Sequence, residues 1–123
     1  MDLKINSLNF TAMHVNVSKM TREQRILANN IARILDYSNE YQLARTNNID
    51  VYILPVKNAV NSVKIRLIDT LSDNYIRIKN NIVETKSKNT NNLYGKVDEI
   101  KAQISDVLSG KIRRPKIDET RIV

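Results

Sequence analysis

The sequence predicts a mainly α protein, and three observations carry that expectation. A helix-capping signature opens an aliphatic stripe just after residue 20. A second apolar stripe runs from Val60 to Ile82 without a glycine or proline, and a third ends at Gly110. Three amphipathic helices are expected, at about 21–45, 57–84 and 92–109, with short extended segments near 12–17 and 50–55. The alternative is an α+β chain with a β-meander over 50–86.

The first extended segment rests on period two. Met13, Val15 and Val17 alternate with His14, Asn16 and Ser18, as a half-buried strand requires. Leu3, Ile5 and Leu8 before it are apolar but less regular. The first helix has the clearest start. Thr21 and Gln24 stand three apart, the spacing at which a hydroxyl accepts from a backbone N–H while the amide reaches back. Leu27, Ile31, Ile34 and Leu35 then recur at three and four, with a break expected between Asp36 and Asn39. Asn47 and Asn48 read as a turn. Asp50 to Leu54 read as a strand stopped by Pro55, which biases Leu54 toward extended backbone.

Residues 56–84 admit both readings. Val60, Val63, Leu67, Leu71, Tyr75, Ile78 and Ile82 fall within about 140° of a helix circumference, which favours one long helix. Val63, Ile65 and Leu67 also alternate with Lys64 and Arg66, but a strand reading must change parity near Ile68 and again near Tyr75. Residues 86–92 form a polar linker. Leu93, Val97, Ile100, Ile104 and Leu108 define the last helix, with Asn91 or Asn92 at its start and Gly110 past its end.

The 123 residues suit one domain, expected over 1–110 with an extended N-terminal segment, followed by a basic C-terminal tail at 111–123. A chain this long hides roughly two-thirds of its unfolded surface. Only 5% of residues are aromatic, so the core must be aliphatic, and 16 Ile supply much of it. Isoleucine and asparagine in such numbers match an AT-rich coding sequence. The opening MDLKINSLNF lacks a secretory pattern, and no apolar run approaches the ~20 residues of a membrane helix. A cytoplasmic or virion setting is expected.

Several chemistries have little to build on. With no Cys, thiolate metal sites and Cys nucleophiles are excluded. His14 is the one His, and a lone imidazole lacks the orienting partners that acid–base catalysis needs. Two glycines, Gly95 and Gly110, cannot form a phosphate-cradling glycine-rich loop. The expectation is a non-enzyme with no cofactor, no metal and no small-molecule ligand.

The charge points toward a partner instead. The net charge is +7, and residues 51–90 carry seven basic groups against three acidic ones. Lys111, Arg113, Arg114 and Lys116 cluster after the last helix and are the candidate partner- or nucleic-acid-binding residues. The leading expectation is a structural or interaction protein that binds itself or other subunits of an assembly, a phage virion being one setting, because long apolar stripes can be shared between chains. The alternative is a basic nucleic-acid-binding protein whose tail contacts phosphates. A short strand followed by two helices also resembles the element order of ribbon-helix-helix DNA-binding dimers. That likeness would turn His14, Asn16 and Ser18 toward base edges, although this strand carries no Lys or Arg and the usual glycine at the helix turn is missing.

Overall fold

The structure is a computed structural model that describes residues 13–85 and 90–116. It is α+β: 43% helical and 25% strand, with a five-stranded mixed sheet and three helices among the described residues. The elements run β1 (Met13–Val15), α1 (Arg22–Asp36), α2 (Asn39–Arg45), β2 (Ile49–Pro55), β3 (Ser62–Asp69), β4 (Asn74–Ile76), β5 (Ile82–Glu84) and α3 (Thr90–Ser109), with a 3-10 turn at Val17–Lys19. β1 and β2 are parallel, joined by a crossover through α1 and α2. β2 and β3 pair antiparallel, and β4 and β5 follow one another along the far edge of β3.

The expectation of a mainly α chain is therefore corrected, and the error lies in 57–84. That segment is β3, β4 and β5, as the meander alternative had it. The apparent helical stripe mixes two environments: Val63 and Leu67 are buried, whereas Val60, Leu71, Tyr75 and Ile82 are between 43% and 65% exposed. The two parity changes have local causes. A four-residue turn, Thr70–Asp73, reverses the chain after β3. Between Leu67↔Ile76 and Lys64↔Ile82, two β3 residues face five residues, 77–81, on the other side. This is a large bulge, and such insertions re-aim the side chains beside them. Asn81 keeps the edge paired, its C=O accepting from Ile65 N–H at 2.8 Å and its Nδ2 donating to Ile65 O at 3.0 Å.

The turns need no glycine because Asn and Asp fill the left-handed positions: Asn48, Asn58, Asp73 and Asn80 have φ between 54° and 64°. These are the side chains that tolerate that region best after glycine. The absence of Gly and Pro from 60–82 was thus no argument against turns.

The expected helix over 21–45 is two helices. The capping box at its start is present, with Gln24 N–H donating to Thr21 Oγ1 at 3.1 Å and Thr21 N–H donating to Gln24 Oε1 at 2.9 Å. Ser38 interrupts the helix and caps α2, accepting from Tyr41 N–H. α3 begins at Thr90 rather than 92; the side chains of Asn91 and Asn92 lie outside the described residues, as do Leu3, Ile5, Leu8 and residues 117–123. Gly110 adopts φ 87° past the end of α3.

One face of the sheet meets the helices. Val51, Ile53, Val63, Ile65 and Leu67 pack with Leu27, Ile31, Leu35, Ile100 and Ile104 in one aliphatic core. Tyr41 is fully buried in it, and its phenol is pushed up to about 12, by burial first and then by the charge of Asp36. A pKa raised in the folded state contributes stability below the unfolded value of about 10 and loses it as pH rises toward the folded value. Stability should therefore fall between about pH 10 and 12, and Tyr41→Phe, which keeps the ring, should flatten that fall in alkaline denaturant titrations. Among the described residues, no helix is long and apolar enough to cross a membrane.

Candidate functional site

Period two puts the sheet's other side chains on the face opposite the helices. Register aligns His14 with Tyr52 and Tyr52 with Arg66; Asp50 aligns with Ile68, and Ile68 with Tyr75. None of these residues belongs to the core cluster, and Tyr75 is 58% exposed.

Their side chains form a row of flat groups across β1 to β4. The His14 and Tyr52 rings are stacked, with centroids 4.4 Å apart and planes 20° from parallel. Arg66 follows, and its guanidinium carbon sits 4.4 Å from the centre of the Tyr75 ring. Pairs like these stabilise a sheet by a few tenths to about 1 kcal/mol each. The contacts form two pairs, in which His14 covers one side of the Tyr52 ring and Arg66 one side of the Tyr75 ring. Among the described residues the acids on this face are Asp50, whose Oδ2 lies 3.1 Å from His14 Nε2, and Glu84 at its far end, and the charge of Asp73 in the β3–β4 turn also reaches Tyr52. Burial and then the Asp50 charge raise the Tyr52 pKa, so this phenol is neutral at physiological pH.

The row ends at a cationic groove. Tyr75, Arg77, Ile112, Arg113, Arg114, Pro115 and Lys116 line a cleft of about 510 Å³ at the β4 edge. Arg77 opens the bulge opposite Arg66. The bulge is held by Gln103 of α3, whose side-chain amide donates to Lys79 O at 2.6 Å and accepts from Lys79 N–H. The C-terminal segment is laid alongside. Ile112 N–H donates to Asp106 O and the Ile112 side chain packs on the core.

The four predicted tail residues therefore separate. Arg113 and Lys116 are exposed and line the groove with Tyr75 and Arg77. Lys111 is exposed but does not line it. Arg114 also borders the groove, yet its donors turn toward the fold: Nε to Asp69 Oδ2 at 2.9 Å, Nη1 to Asn47 O at 2.9 Å and Nη2 to Asn48 O at 3.0 Å. Asp69 in turn accepts from Leu71 and Ser72 N–H. The described part of the tail, 111–116, is thus fastened to two turns of the domain.

Sequence reasoning missed Tyr52, Arg66, Tyr75 and Arg77 as a group. The alternation of Lys64 and Arg66 with Val63, Ile65 and Leu67 was the available signal. The ribbon-helix-helix order does not extend to this geometry: β1 pairs with β2 of its own chain, and His14 is stacked on Tyr52. Among the described residues, no three His, Asp or Glu side chains cluster as metal ligands would. Comparison with family models, curated proteins and solved structures gave no match.

Proposed function

We propose that this chain is a non-enzymatic nucleic-acid-binding protein that uses the exposed sheet face and the groove at its β4 edge. The observation that carries the reading is the convergence of cations from three separate parts of the sequence. Lys64 and Arg66 come from β3, Arg77 from the bulge, and Arg113 and Lys116 from the tail. Neutralising phosphates with such groups releases condensed counterions, which is the main source of sequence-independent affinity for nucleic acids. Asp69, the buried acid nearby, is already matched by Arg114. The expectation of a subunit in a larger assembly drew on helical stripes over 57–84 and 92–109 and on extended ends; the chain folds the first stripe as strands, so that part of the support is lost.

The test is fluorescence anisotropy with labelled 20-nucleotide RNA, single-stranded DNA and duplex DNA. Binding is expected at about 50 mM salt and should weaken steeply toward 200 mM. Arg113→Ala combined with Lys116→Ala should lower affinity for every sequence alike and reduce the salt slope by about one for each phosphate that is no longer neutralised. Undetectable binding to all three ligands at low salt would overturn the reading.

A further inference from the structure

We infer that the ligand is single-stranded, with bases stacked on Tyr52 and Tyr75 while the backbone is held in the Arg77, Arg113 and Lys116 groove. This deepens, and rests on, the nucleic-acid reading.

Three observations distinguish this from general attraction to a polyanion. The first is the row itself. His14, Tyr52, Arg66 and Tyr75 place flat groups on consecutive strands, with His14 on one side of the Tyr52 ring and Arg66 on one side of the Tyr75 ring, and the row spans about 14 Å at the usual strand separation. Base–aromatic stacking accepts any base, because every base has a π-face. Base faces inside a duplex are already stacked on their neighbours and cannot reach such a surface.

The second is spacing. Tyr52 and Tyr75 are two strands apart and two residues out of register along β3, which separates their backbones by about 12 Å. Successive bases of a duplex strand rise about 3.4 Å. Neighbouring bases seated on the two rings are therefore splayed, as in an extended single strand.

The third is placement of charge. Arg66 covers one side of the Tyr75 ring, yet 58% of that residue is still exposed. The same Tyr75 forms a wall of the cationic groove. A base on Tyr75 thus brings its own phosphate to the mouth of the groove, where Arg77, Arg113 and Lys116 stand and Arg114 is held back by Asp69.

The experiment measures binding of a 15-nucleotide oligo-dT, the same length of duplex DNA, and heparin to the full chain and to Tyr75→Leu, Tyr75→Phe and Tyr52→Leu. Tyr75 is exposed and Tyr52 half-buried on the face opposite the helices, and circular dichroism checks that each variant is folded. Single strands should bind more tightly than duplex. Tyr75→Leu should cost about 5- to 100-fold in affinity for oligo-dT, leave heparin binding unchanged, and be rescued by Tyr75→Phe. Tyr52→Leu should behave like Tyr75→Leu. Equal or tighter duplex binding, with neither Leu variant affecting oligo-dT, would overturn this inference while leaving nucleic-acid binding in place. Binding to heparin alone, or to none of the three ligands, would overturn both.

Discussion

Arg114→Ala is expected to destabilise the fold by about 2 kcal/mol, whereas Arg113→Ala should leave stability within about 0.5 kcal/mol. The two residues are neighbours in sequence and opposites in use. Arg114 donates three hydrogen bonds, to Asp69 and to the Asn47 and Asn48 carbonyls. Hydrogen bonds that involve a charged group contribute about 1.5–3 kcal/mol each, and the lower end applies here because the Arg114 side chain is 30% exposed and water can replace part of what is removed. Asp69 is the more sensitive partner: its side chain is 5% exposed, and without Arg114 it keeps, among the described residues, the Leu71 and Ser72 N–H donors. A loss of 2 kcal/mol corresponds to roughly 8 °C in Tm for a chain of this size. The binding assay should show the reverse order, with Arg113→Ala weakening association with nucleic acid. Equal thermal stability of the two variants would show that the tail is not fastened through Arg114.

The largest effect is expected from Gln24→Glu, at about 3 kcal/mol or more near neutral pH. Gln24 is 3% exposed. Its Oε1 completes the capping box of α1, and its Nε2 points into a cage of three carbonyls, donating to Ala59 O and Ser62 O at 2.9 Å and approaching Val56 O at 3.4 Å. One side chain thereby fixes the start of α1 to the β2–β3 turn. Thr21 Oγ1 adds a bond to Val60 O at 2.6 Å. Glutamate has nearly the same shape but replaces the donor with an acceptor and adds a charge facing three carbonyl oxygens. The penalty should shrink as pH falls and the carboxyl protonates, since the protonated form again offers one donor. Gln24→Ala should cost less, about 2 kcal/mol, because Val56, Ala59 and Ser62 carbonyls keep backbone partners in the turn. Denaturant midpoints at pH 7 and pH 4.5 separate these outcomes. An identical Glu penalty at both would contradict the cage.

What could be read from the sequence was local. The capping box at Thr21 and Gln24, the interruption before Asn39, the strand ending at Pro55 and the left-handed Gly110 follow from neighbours a few residues apart, and each is present. The helix assigned to 57–84 failed because three-and-four spacing and period-two spacing coincide over short windows. Only the turn at 70–73 and the bulge at 77–81 reconcile the pattern with a sheet. Nothing in a single sequence announces a bulge held from outside by Gln103, 24 residues away. The tail cluster was visible as a charge run, but its division into outward Arg113 and Lys116 and inward Arg114 depends on Asp69, 45 residues earlier. The aromatic row was the least legible part. Its members sit on four strands, and register alone brings them together.

The most direct test of the proposed interface is an NMR titration of the 15N-labelled chain with a 12-nucleotide single strand at low salt. The proposal predicts amide shifts confined to His14, Tyr52, Arg66, the strand around Tyr75, the bulge from Arg77 to Asn80, and Arg113 to Lys116, with α1 and α2 unmoved. Shifts centred on the helical side, or no shifts at saturating oligonucleotide, would contradict it.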